Sequence, residues 1–405
     1  MATDVTAAPL AGVRVVDLSR VLAGPYCTMM LADLGADVVK IERPGEGDET
    51  RTWGPPYAGG EAAYFLAVNR SKRSVAVDLK EPEGRALVLD LCARADVVLE
   101  NFRPGAAERL GLGAAAVHDR NPTVVYCSIT GFGRHGAPER PGYDFVVQAE
   151  SGLMAVTGEP DGPPTKAGVA LVDVVTGLHA AVAIVAALRS REATGRGERI
   201  EVSLLDSAFS ALVNVAQNAL VTGEEPGRFG NAHPSIAPYQ PFRAADGWVA
   251  VAAANDGLFA RLCEVLGRNE LARDERFLTN AARVRNRDEL IALLEEAFAA
   301  RGADDWVAEL DAAGVPAGKI RGVLEALRAA APATAAVEHP SAGELELVAP
   351  PFAFASSGLR EPTAPPRLGQ HTREVLAELG LTADRIAELE ARGVVASGES
   401  VRRGR

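Results

Sequence analysis

VRVVDLSRVLAGPYCTMMLADLGADVVKIE, residues Val13 to Glu42, moves between the two side-chain periods that an open α/β fold requires. Val13 to Asp17 is a short β-branched run ending in an acid, the pattern of a buried strand. The loop Leu18 to Gly24 follows, with Gly24-Pro25 as a breaker. A helical pattern then runs from Tyr26 to Leu34 and is closed by Gly35. Asp37 to Glu42 is a second strand. This βαβ rhythm predicts an open, mostly parallel sheet. The turn SRVLAGP lacks the G-x-G-x-x-G that seats a pyrophosphate on a helix N-terminus. A nicotinamide dinucleotide fold is therefore disfavoured, while a nucleotide at the strand ends remains open.

The same rhythm continues outward. Val75 to Leu79, Asp96 to Glu100, Thr123 to Ser128 and Arg199 to Leu204 read as further strands, and Pro82 to Arg94 as a helix. Ligands of open α/β sheets bind at the carboxyl ends of strands. Asn101, Phe102 and Arg103 are thus placed to offer an amide, an aromatic face and a cation. Arg43 and Arg51 in a Gly/Pro-rich loop are candidate anion contacts, against an ordinary solvated surface. The cluster Asn69 to Ser74 (NRSKRS) opens into a strand, which makes Lys72 and Arg73 candidates for a phosphate.

Gly168 to Arg191 reads GVALVDVVTGLHAAVAIVAALRSR, an apolar helix from about Val174 with Asp173 at its head. An Asp there sits where an N-cap belongs, and first-turn N–H groups would hold it ionised despite burial. Two readings stay open: a cap only, or a poorly hydrated carboxylate able to act as a nucleophile. The stretch is about long enough to span a membrane, but Asp173, His179 and two glycines favour a buried core helix.

At 405 residues two or three domains are expected. Composition shifts over Thr222 to Gly230, after which a hairpin (Pro238–Arg243, Trp248–Ala253) and three helices suggest a small α+β domain. The expected division is 1–222, 223–325 and 326–405. Short strands at Leu345–Val348 and Phe352–Phe354 and two last helices complete the chain. The net charge of −12 argues against nucleic-acid or acidic-lipid partners. The four scattered cysteines form no C-x-x-C pair, which suits a reducing cytosol and offers no metal site. With no basic, apolar leader pattern over Met1 to Leu10, the expected location is cytoplasmic.

Eight spaced motifs together carry a resemblance: LSRVLAGPYCTMMLADLGADVVKIERPGEGDETR, NRSKRSVAVDLK, DVVLENFRPG, ERLGLG, GFGRHG, RPGYDFVVQAESG, ALVDVVTG and TGRGE. In this order they resemble the class III CoA-transferases, the family of formyl-CoA transferase and crotonobetainyl-CoA:carnitine transferase. The resemblance implies a large Rossmann-like domain made from both ends of the chain, a small domain inserted between, and a homodimer of interlocked subunits. It implies acyl-CoA and a carboxylic acid as substrates, with coenzyme A as a substrate portion and no permanently bound cofactor or metal.

Carried over by motif, Asp173 matches the catalytic aspartate. The coenzyme contacts fall on Leu22, Ala23, Arg43, Val77, Asp78, Leu79, Lys80, Asn101, Phe102, Arg103 and Arg109, and on Arg140 in a loop of different length. Two departures bear on specificity. Phe229 to Tyr239 (FGNAHPSIAPY) stands where formyl-CoA transferase has a glycine-run loop, which turns the expectation from oxalate toward C4–C6 dicarboxylates with succinyl-CoA as donor. His233, with Arg228 and Tyr239, is the expected partner of an acceptor carboxylate there. The α-methylacyl-CoA racemases of the same fold look to carry a histidine where this chain has Tyr143. A phenol with ordinary pKa near ~10 suits two-base proton exchange poorly. A non-catalytic acyl-CoA-binding protein is the third reading.

Overall fold

A computed structural model describes residues 7–133, 140–330 and 332–398. The chain forms two compact units. The first runs to Ser151, resumes over Ala167–Gln217 and again from Pro332. The second comprises Gly152–Lys166 and the stretch 218–330. The segment 152–166, assigned by composition to the large domain, thus belongs with the second unit: Arg228 donates to the carbonyls of Glu159 (3.1 Å) and Gly162 (2.6 Å).

A seven-stranded sheet is the centre of the first unit: β1 (Arg14–Asp17), β2 (Asp37–Glu42), β3 (Lys72–Val77), β4 (Val97–Glu100), β5 (Val125–Thr130), β6 (Glu198–Ser203) and β7 (Val395–Ala396). Their spatial order is β7-β3-β2-β1-β4-β5-β6. The first six are parallel, and β7 closes the edge antiparallel to β3. The order 3-2-1-4-5-6 is that of doubly wound dinucleotide-binding sheets, with the reversal between β1 and β4. The inner strands are apolar on both faces because helices cover both, as parallel sheets require.

Charge is buried where these strands end. Asp17 and Lys40 stand opposite each other in register and are fully buried. Lys40 is paired with Asp48 at 2.9 Å and donates to the Ser19 carbonyl. Asp17 accepts from Ser19 Oγ, from Thr28 Oγ1 at 2.6 Å and from Lys72 Nζ at 3.2 Å. Burial pushes the Asp17 carboxyl up, but Lys72 and Lys40 with the two hydroxyls outweigh it and hold it below the usual range. Lys72, Arg73 and Arg51 are therefore not free for phosphate. Arg73 binds Asp37, Glu374 and Glu378, and Arg51 binds Glu42 and Glu61.

Three helices matter for the site: α1 (Ala23–Asp33), α2 (Asp144–Glu150) and α3 (Leu171–Thr194). By length and composition α3 could cross a membrane. Here it packs along α1 and the helix Leu204–Ala211, burying Val172, Thr176, Ala180 and Ile184. Leu178, Val182 and Val185 remain exposed on its far side.

Other expectations need correcting. The apolar run from Leu204 to Thr222 is two helices, Leu204–Ala211 and Val213–Thr222, parted at Leu212, with Val213 at φ 42°. Phe352–Phe354 is not a strand; Gly343–Val348 pairs instead with Thr334–His339, whose alanines hide its alternation.

Candidate active site

The loops that leave the sheet's carboxyl edge enclose two cavities with a common wall. The first, of about 660 Å³, is lined by Leu18 after β1, Arg43 after β2, Val77 to Lys80 at the end of β3, and Phe102 after β4. The second, of about 450 Å³, is lined by Leu22 and Ala23, Asn101 to Arg103, Arg140, Tyr143 and Asp173. Arg20, Glu49 and Phe102 belong to both. The pair straddles the β1/β4 switch point, where such sheets bind ligands.

Most sequence-predicted residues meet here. Arg43 is half-exposed and paired with Glu46 at 2.6 Å. Asn101 has its amide committed: Oδ1 accepts from Arg20 N at 2.8 Å and Nδ2 donates to Arg20 O at 2.7 Å. It shapes the loop between β1 and α1, where Val21 holds a left-handed φ of 68°. A β-branched residue adopts that conformation only when its surroundings impose it. Arg140 pairs with Glu150 and lies over the Phe132 ring at 4.3 Å. Arg109 ends the short helix Ala106–Arg109 and lines neither cavity, although Leu110 lines the first. Arg134, His135 and Gly136 of the GFGRHG motif lie outside the described residues.

Two glycines, Gly131 and Gly142, meet backbone to backbone. A Cβ on Gly131 would lie 2.6 Å from Gly142 Cα, so the backbones touch where only hydrogens fit. The returning chain is thereby set to begin α2 with Tyr143 on the cavity wall and Asp144 behind it.

Asp173 is not the cap of its helix. The N-cap of α3 is Ala170, and Asp173 is the third helical residue. The first-turn donors are taken by Asp144, whose Oδ1 accepts from Val172 N at 2.8 Å and from Asp173 N at 3.2 Å. No described residue donates a hydrogen bond to the Asp173 carboxylate itself. Burial, with the Asp144 charge added, pushes its carboxyl up to about 7. The expectation that helix N–H groups would hold it ionised is overturned because another carboxylate occupies them. Tyr64, on the helix Ala63–Val68, feels the same cluster: burial and then Asp173 push its phenol up to about 12.

In the second unit, His233 Nδ1 accepts from Ser235 N at 3.1 Å, and its ring packs 5.3 Å from that of Tyr239. With the Arg228 guanidinium on backbone carbonyls, the expected acceptor contacts of this stretch are largely engaged locally. Sequence reasoning missed Asp144, Arg20 and Glu49. Asp144 follows Tyr143 at a helix start, but nothing local shows that it caps a different helix.

The family model for CoA-transferase family III matches residues 10–372. The chain belongs to CoA-transferase family III. It is 43% identical over 400 residues to the succinyl-CoA:glutarate CoA-transferase of Homo sapiens, covering 97% of this chain and 91% of that one. It is 44% identical to the succinate–glutarate CoA-transferase of Agrobacterium fabrum, covering 92% and 96%. The crystal structure of a CAIB/BAIF family protein from Brucella suis superposes with a TM-score of 0.83 at 46% identity, covering 92% of this chain and all of that one. The mixed α/β architecture with its mostly parallel sheet is thus the family's, and the protein is a CoA-transferase.

Proposed function

We propose that the enzyme moves CoA from succinyl-CoA to a C4–C6 dicarboxylic acid through covalent intermediates on Asp173. The observation that carries this is a desolvated carboxylate, unbonded among described residues, on the wall of a cavity that shares Arg20, Glu49 and Phe102 with the first cavity. Relatives named for succinyl-CoA and glutarate support the choice of donor and acceptor class. Val77 to Lys80, Arg43 and Phe102 line the first cavity, which we assign to the coenzyme, with the thioester reaching the second.

Asp173 attacks the thioester carbonyl; the C–S bond breaks, CoA leaves as thiolate and a mixed anhydride forms. The thiolate then attacks the aspartyl carbonyl, releasing the donor acid and leaving an aspartyl-CoA thioester. The acceptor carboxylate repeats these steps in reverse. Protecting the anhydride from water is the site's main task, which a partly buried nucleophile serves. Arg20, Arg103 and Arg140 line this cavity and can meet a distal carboxylate, which would cost several kcal/mol if left unpaired.

We also infer an interlocked homodimer. Leu178, Val182 and Val185 repeat at helical spacing on the exposed side of α3, an apolar stripe of the kind that partners cover. Light scattering should give twice 42.4 kDa.

The test is a competition assay with succinyl-CoA and equal glutarate, itaconate, malate, oxalate, carnitine and hexanoate. Preference for glutarate or a similar diacid is expected; preference for oxalate, carnitine or hexanoate contradicts the acceptor assignment. In deuterium oxide, a 2-methylacyl-CoA should gain no enzyme-dependent α-deuterium, because Tyr143 replaces the second base of a racemase.

A further inference from the structure

α3 begins without a side-chain cap of its own. Its first donors are satisfied from α2, by Asp144 Oδ1 on Val172 N and Asp173 N at 2.8 and 3.2 Å. Asp144 is itself fixed. Its Oδ2 accepts from Gln148 Nε2 at 2.6 Å, and the fully buried Gln148 accepts from Ala167 N at 2.9 Å. One carboxylate therefore stands directly behind another and holds the N–H groups that the second would otherwise use.

We propose that Asp144 is a positioning residue for Asp173: by occupying the head of α3 it leaves the Asp173 carboxylate unbonded and hence more nucleophilic. The inference rests on Asp173 being the nucleophile. A carboxylate solvated by helix N–H groups is a weaker base and attacks a thioester more slowly. Asp144 removes that solvation and adds a like charge, and both effects act in the same direction.

Among the described residues, these charged or titratable groups line the cavity of Asp173 or act on it. Asp144 and Tyr143 come from the start of α2, and Tyr64 from Ala63–Val68. Arg20, Glu49, Arg103 and Arg140 line the cavity, and the head of α1 brings no charge. Burial and then the Asp144 charge push the Asp173 carboxyl up to about 7.

The experiment compares kcat/KM against pH for wild type, Asp144→Asn and Asp144→Ala, with folding checked by circular dichroism. Asp144→Asn keeps an oxygen at the head of α3 and removes only the charge, whereas Asp144→Ala removes the charge and also frees the N–H groups of Val172 and Asp173. The acid limb should move about one pH unit or more toward acid, and the plateau should fall roughly three- to tenfold. Direct carboxyl carbon-13 titration of Asp173 in the wild type gives a reading that needs no variant to fold, and should show it near neutrality. A limb that stays in place in either folded variant, or an Asp173 that titrates in the ordinary range, overturns the proposal. Asp173→Ala separates the two levels: activity in that variant overturns the nucleophile assignment, whereas its loss beside an unmoved Asp144→Asn profile overturns only the role of Asp144.

Discussion

Gly177 of α3 lies against the backbone of α1 so closely that a Cβ there would sit 2.7 Å from the carbonyl oxygen of Ala23. Gly177 is one turn beyond Asp173, and Ala23 lines the same cavity as Asp173. The missing side chain is what brings the head of α1 beside the nucleophile.

Gly177→Ala should accordingly push the helices apart. Overpacking of this kind costs about 1–3 kcal/mol, although alanine's helix propensity returns up to ~1 kcal/mol. The expected result is a lower thermal midpoint together with a fall in kcat of tenfold or so, since small displacements of reacting groups are expensive. Full activity at unchanged midpoint would show that the contact does not position the site.

The raised Asp173 carboxyl has a consequence for stability. A folded-state pKa near 7 against an unfolded value near 3.8 means that the folded chain holds this proton more tightly. That contribution is present below about pH 4 and is lost as pH rises to about 7. Asp173→Asn, neutral throughout, should therefore be more stable than wild type at pH 8, by roughly 1–3 kcal/mol, and lose this advantage by pH 4. Denaturant midpoints at the two pH values measure it. An advantage that does not change with pH contradicts the shift.

Lys72 is wholly enclosed. Its ammonium donates to Pro25 O at 2.8 Å, Asn69 Oδ1 at 2.9 Å and Asp17 Oδ2 at 3.2 Å. Lys72→Met removes the charge with little loss of volume and leaves Asp17 buried without one of its two lysines. Breaking such a pair costs about 3–5 kcal/mol. A urea midpoint shifted by less than the equivalent of 1 kcal/mol would show that Lys40 suffices alone.

These residues also show what a sequence can and cannot display. The sheet was readable because Val13–Asp17 and Asp37–Glu42 are apolar runs bounded by a Gly-Pro break and a glycine stop, and β2 has the limits read from them. Residues after strands, such as Val77 to Lys80 and Phe102, could be placed because topology alone sends strand ends to one edge. Lys72 and Arg73 looked like a phosphate cluster because Asp17, Asp37, Glu374 and Glu378, which neutralise them, are 36 to 305 residues away in the chain. Asp144 escaped notice for the same reason: it caps a helix that begins 27 residues later, across a segment belonging to the other unit.

The most direct test of the account is to catch the enzyme in the act. Incubation with succinyl-CoA, rapid quenching and hydroxylamine or borohydride trapping, followed by peptide mass mapping, should place the modification on the peptide containing Asp173, and Asp173→Ala should carry no label and exchange no CoA. Turnover by wild type with Asp173 unlabelled under conditions that trap acyl-enzymes, or near-normal CoA exchange by Asp173→Ala, would contradict a covalent mechanism at this residue.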